Sequence, residues 1–120
     1  MTVRKHLSTK KIILGSCAFR QPFAESHCKY IHGYLLIAKL WFECAELDKN
    51  NWVVDFGSLS QLKHTLENKF DHTTCISATD PEIATFKKSN NFIREQTEER
   101  CWVKKCEIWE HSANSGVYTR

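Results

Sequence analysis

The longest run of alternating residues, from Ile31 to about Glu46, constrains the fold more than any other feature. Side chains of an extended strand point to opposite faces in turn. In that run His32, Tyr34, Leu36, Ala38, Leu40 and Phe42 share one face, while Leu35, Ile37, Lys39, Trp41 and Glu43 share the other. Both faces are partly apolar. One is therefore expected to pack on a helix layer and the other to meet another subunit.

A second strand is expected over Lys11–Arg20, rich in branched residues and broken by Gln21-Pro22. After the polar turn Leu47–Asn51, a short extended piece, Trp52–Phe56, ends at Gly57. Ser58 then opens a helix, with Gln61 three residues on completing a capping box. Leu59, Leu62, Leu66 and Phe70 recur at helical spacing, and the helix ends near Asp71–Thr74. Asp80-Pro81 starts a weaker helix, whose apolar face fades from Lys87 to Arg100 into charged and amide residues. Residues 80–100 leave room for one short helix and a linker. Trp102–His111 reads as a strand, with Trp102, Lys104, Cys106, Ile108 and Glu110 on one side. Ser112–Gly116 is a turn, and Val117–Thr119 closes a hairpin. The order strand, strand, helix, helix, strand, strand implies one α+β domain over residues 1–120. Its core would be an antiparallel four-stranded sheet with helices on one face.

Bulk properties exclude several classes. The chain has 120 residues, one domain's worth, and its net charge is only +3, from 17 Lys and Arg against 14 Asp and Glu. That surplus is too scattered for a nucleic-acid footprint, and basic residues do not interleave with the four tryptophans as single-strand binding requires. The tryptophans are instead expected in the core or at an interface. Arg4, Lys5, Lys10 and Lys11 form a basic arm, expected to be a solvated tail. No apolar run is long enough to span a bilayer, and the N-terminal run is too short for a secretory signal, so the expected location is the cytoplasm. Of six cysteines none forms a C-x-x-C pair. They read as reduced thiols, five of them inert and one a candidate for chemistry.

Four segments stand out in order: Cys28 to Tyr34, with His32-Gly33 inside it; Val53 to Leu59; Phe70-Asp71-His72; and Ile108-Trp109-Glu110. Together they resemble the 6-pyruvoyl/6-carboxy-tetrahydropterin synthase family. That family has a cysteine four residues before His-Gly-His, an Asp-Phe-x-x-Leu helix entry, a Leu-Asp-His helix exit and a glutamate late in the third strand. The resemblance covers residues 11–120. It implies two β-hairpins flanking helices, assembled into trimers and hexamers with active sites between subunits.

It also implies roles, residue by residue. Cys28 would move protons at the substrate side chain, which requires a thiol tuned toward neutrality. Asp71 and His72 would form an acid–base pair, the carboxylate orienting the imidazole. Glu110 would anchor the pterin by accepting hydrogen bonds from a ring N–H and the 2-amino group. Taken alone, each has an ordinary alternative: a buried inert cysteine, a solvated helix end, and surface charge at a strand end.

The family holds Zn²⁺ through three histidines, leaving the open position that catalytic zinc needs. Here the first of those positions is Phe19 and the third is Tyr34, so only His32 stays in register. His27 is the candidate substitute, with Cys17 or the Tyr34 phenolate as further options. The implied activity is that of a 6-carboxytetrahydropterin synthase-like lyase acting on 7,8-dihydroneopterin triphosphate, toward 7-deazaguanines such as queuosine. The 6-pyruvoyl reaction and a pterin-binding protein without catalysis are the alternatives.

Overall fold

The computed structural model describes residues 5–20, 32–71, 73–76, 81–110 and 114–120. Five strands form one sheet: β1 (His6–Arg20), β2 (His32–Cys44), β3 (Thr73–Ile76), β4 (Cys101–Glu110) and β5 (Asn114–Thr119), in the order β3-β1-β2-β4-β5. Two helices, α1 (Ser60–Phe70) and α2 (Pro81–Gln96), complete the fold. The four antiparallel strands expected from the sequence are β1, β2, β4 and β5. The short β3 adds a parallel edge, pairing Cys17 with Thr73 and Arg20 with Ile76.

The inward face of β2 matches the alternation. Leu36, Ala38, Leu40, Phe42 and Cys44 are all fully buried. They meet the α1 stripe of Leu59, Leu62, Leu66 and Phe70, each almost completely buried. A fully buried leucine contributes about 1.5–3 kcal/mol, so these two rows dominate the core.

Several elements depart from expectation. β1 begins at His6, so Lys10 and Lys11 belong to a strand and Lys5 pairs with Glu43 at 3.1 Å; the basic arm is not a free tail. β5 begins at Asn114, which pairs with Glu110, so part of the expected turn is strand. The capping box does not form. Asp55 takes that role, its Oδ1 accepting the Gly57 N–H at 2.9 Å while the Ser58 hydroxyl donates to the Asp55 carbonyl at 2.7 Å. A 3-10 turn at Phe56–Leu59 then leads into α1.

The second helix runs for 16 residues, well past Lys87. Its inner face mixes Phe86 and Ile93 with buried Thr85, Ser89 and Asn90, so burial there does not follow hydrophobicity. None of the four tryptophans is buried. Trp41, Trp102 and Trp109 are half-buried and Trp52 is exposed.

Two bulges break the period of two. In β1 the register slips between Ile13 and Gly15, leaving Leu14 extra, and both Ile12 and Leu14 face inward. In β4 Lys104 is extra, since Lys105 pairs with Trp41 and Val103 with Phe42. Cys101 and Val103 are therefore buried on the same side as Cys106 and Ile108. Simple alternation puts Val103 on the wrong face, because an extra residue re-aims everything beyond it.

Candidate active site

The second half of β1 runs between β2 and β3, and its register gathers the predicted positions at one end of the sheet. Phe19 stands opposite His32, and Cys17 stands opposite Tyr34 and beside Thr73. Glu110 pairs with Leu36, two residues beyond Tyr34 on the same strand. Strand geometry puts the Glu110 and Tyr34 backbones roughly 8 Å apart. For Cys17, Phe19, His32, Tyr34 and Glu110 the structure describes these backbone positions. Cys28, His27 and His72 lie outside the described residues.

Asp71 is described in full. It caps α1, its N–H donating to the Glu67 carbonyl at 2.7 Å, and its extended backbone (ψ 131°) turns the chain toward β3. Its Oδ1 accepts the Ser16 N–H at 2.9 Å, on the bulged stretch of β1. Gly15 makes this seat. Its φ of +112° belongs to a region that L side chains rarely occupy, and a Cβ there would lie 2.3 Å from Asp71 Oδ1. The carboxylate thus rests directly on the strand backbone, one residue before His72. This anchoring role is one that the sequence alone did not indicate. The glycine inside a strand run was its signal.

The described thiols are Cys44, Cys101 and Cys106, all buried and unoxidised. Burial pushes the Cys101 thiol up to about 11, and burial also raises that of Cys44, opposed by the nearby Arg100 guanidinium. These are inert core thiols, as expected for most of the set. Among the described residues no three His, Cys, Asp or Glu side chains gather as a metal site. By residue type His32, Cys17 and Tyr34 carry atoms that can ligate a metal. Phe19 offers no donor atom.

A cavity of about 750 Å³ opens at the other end of β1, lined by Lys5, His6, Trp52, Val54, Asp55 and Phe56 among others. It borders the stretch of β1 that β3 does not reach. Arg100 shapes the loop beside it, donating to the Glu46 carbonyl at 3.0 Å and the Val53 carbonyl at 2.8 Å.

A sequence profile of the 6-pyruvoyl tetrahydropterin synthase family matches residues 10–120. The chain belongs to this family. Over 60 residues it is 30% identical to a 6-carboxy-5,6,7,8-tetrahydropterin synthase of Rickettsia bellii (strain RML369-C). That stretch is 49% of this chain and 44% of the relative, so it spans less than half of the relative's length. Among solved structures, 6-pyruvoyl tetrahydropterin synthase of Caenorhabditis elegans superposes with a TM-score of 0.70 at 17% identity, covering 100% of this chain and 97% of that one. An uncharacterized protein of Wolinella succinogenes superposes with a TM-score of 0.69 at 13% identity, covering 98% and 99%. These likenesses establish the shared α+β fold. No helix among the described residues is long and apolar enough to cross a membrane.

Proposed function

We propose that this family member is a cytoplasmic lyase that converts 7,8-dihydroneopterin triphosphate to a 6-carboxy-tetrahydropterin, releasing triphosphate and a two-carbon aldehyde. The product would feed 7-deazaguanine synthesis, as in queuosine. The observation that carries the reading is the family match over residues 10–120, with the positions of His32, Asp71 and Glu110 at one sheet end.

Glu110 would grip the pterin edge, a carboxylate accepting two parallel hydrogen bonds from N–H groups. Cys28 would take a proton from the side chain and return it. Asp71 would hold His72 as the opposing acid–base group, and the Ser16 N–H would fix that carboxylate in place. His32 with His27 would hold Zn²⁺, which would polarise the side-chain oxygens of a bound substrate. Among the described residues the edge of β1 before Cys17 has no strand partner, which favours assembly with further copies, as trimers or hexamers, with the active site between them.

The test is turnover of dihydroneopterin triphosphate, with zinc content measured alongside. Cys28→Ala and Glu110→Gln are expected to abolish product at unchanged circular dichroism. Full turnover in the Cys28→Ala variant would overturn the assignment.

One observation favours a second reading, a pterin-binding protein without catalysis. Phe19, at the position of the family's first zinc-binding histidine, cannot ligate zinc. Tight pterin binding by a zinc-free, inactive protein would establish that alternative.

A further inference from the structure

The face of the sheet turned away from the helices is built around lysines and indoles. Lys11 and Lys39 stand directly opposite each other on β1 and β2. Like charges placed so are destabilising. Lys105, on β4, pairs with Trp41 and lies diagonally from Lys39. The Lys39 ammonium sits 4.7 Å from the Trp41 ring centre and the Lys105 ammonium 4.3 Å from the same ring. The two charges are therefore no further apart than the sum of those distances. Lys11 lies 4.8 Å from the Trp109 ring.

No carboxylate answers these three among the described residues. Glu43 is taken by Lys5 at 3.1 Å and Lys104 at 4.0 Å. Glu107, opposite Lys39, accepts the Ser115 hydroxyl at 2.7 Å and forms no ion pair with Lys39. A surface under no other demand would intersperse acids among these lysines. Here a single acid, Glu107, stands among them, and their other neighbours include the indoles of Trp41 and Trp109 and the exposed Ile13.

We propose that this face is an anion-binding site for a linear oligophosphate, seated across Lys11, Lys39 and Lys105. The three lysines stand on three adjacent strands, spanning about 10 Å. That spread suits several linked charged groups better than one. Binding would relieve the Lys11–Lys39 repulsion. The same geometry argues against single-stranded nucleic acid, since base stacking needs a free ring face, and cations already stand over Trp41 and Trp109.

The probe is inorganic triphosphate, titrated calorimetrically into the full chain at about 50 mM and about 300 mM salt, a range over which exposed charges become screened. The Glu110→Gln variant is titrated in parallel, so that loss of the proposed enzymatic reading leaves this result standing. Saturable binding is expected, weakening with salt and unaffected by Glu110→Gln. Lys39→Gln/Lys105→Gln should weaken it about tenfold or more, and Lys63→Gln, on α1, should leave it unchanged. A second measurement covers misfolding of the double variant. Lys11→Gln alone should raise the melting temperature without anion, and triphosphate should raise it more in the wild type than in Lys11→Gln. Absence of binding at low salt, equal weakening by Lys63→Gln, or tighter binding of a single-stranded oligonucleotide with quenched tryptophan emission would overturn the proposal.

Discussion

Replacing Gly15 with alanine probes the contact on which the candidate site is seated. Two costs add. A side chain at φ +112° carries backbone strain of about 1–3 kcal/mol. The new Cβ would also fall 2.3 Å from Asp71 Oδ1, so the carboxylate must leave the Ser16 N–H. Losing a hydrogen bond to a charged group costs about 1.5–3 kcal/mol. The expected total is about 2.5–6 kcal/mol, a large share of a domain's stability of about 5–15 kcal/mol. Urea unfolding at fixed protomer concentration measures it. With an m-value of about 2 kcal/mol/M the midpoint should fall by about 2 M. Repeating the substitution in an Asp71→Ala background separates the terms. With no carboxylate to displace, Gly15→Ala should cost only the backbone strain, a coupling of about 2 kcal/mol. Asp71→Asn keeps an acceptor oxygen and should cost about 1 kcal/mol or less. If Gly15→Ala costs under about 1 kcal/mol, or the same in both backgrounds, the seating of Asp71 on β1 is refuted.

Arg100→Ala removes both bonds to the Glu46 and Val53 carbonyls and should destabilise by about 2–3 kcal/mol, with Arg100→Lys intermediate; thermal melts check this. Asn90→Ala leaves the buried Val103 N–H without its acceptor at 3.0 Å, costing about 1–3 kcal/mol and speeding hydrogen exchange at that amide. The Cys101 thiol, lifted from 9.0 to about 11, should resist alkylation by iodoacetamide at pH 8 in the folded protein and react on denaturation. Its raised value also sets a pH dependence. The stability it contributes is complete below pH 9 and is lost between about pH 9 and 11, because there the unfolded chain has released the proton that the folded one keeps. Urea midpoints should fall across that window by an amount equivalent to roughly 2 kcal/mol, and Cys101→Ser should flatten the fall.

Where burial follows hydrophobicity, the fold could be read directly. The β2 alternation and the α1 stripe both place their apolar residues in the core. The far end of α2 was obscure because Thr85, Ser89 and Asn90 are buried polar residues, which no apolar period reveals. β3 was missed because Thr73–Ile76 is four residues long and gains its place only from pairing with β1. The lysine–tryptophan contacts were invisible for a related reason. Lys11 and Trp109 are far apart along the chain and meet only across strands. Family membership could be read, since the family profile matches residues 10–120. The seating of Asp71 could not, because it depends on a bulge.

The two bulges share one construction. At each, an extra residue breaks the ladder, and a nearby backbone N–H finds its acceptor on a helix. Ser16, beside the β1 bulge, donates to Asp71 at the end of α1, while Val103, beside the β4 bulge, donates to Asn90 within α2. The Val103 N–H is buried and would be costly to leave unsatisfied, so the β4 bulge needs α2 at one height; at the exposed β1 bulge the constraint is the close approach of Asp71 to Gly15 together with its bond to Ser16. This locks both helices to the sheet in register, beyond what a non-directional apolar core can specify. It also explains why simple alternation fails at these two places and holds along the inward face of β2. On β1 the consequence reaches the candidate site, since the bulge decides that Cys17 faces Tyr34 and Phe19 faces His32. Removing the extra residue would shift Cys17–Arg20 by one position against β2 and turn each to the opposite face. The geometry of the candidate site is therefore a property of the bulge and its aspartate together, and neither can be altered without the other.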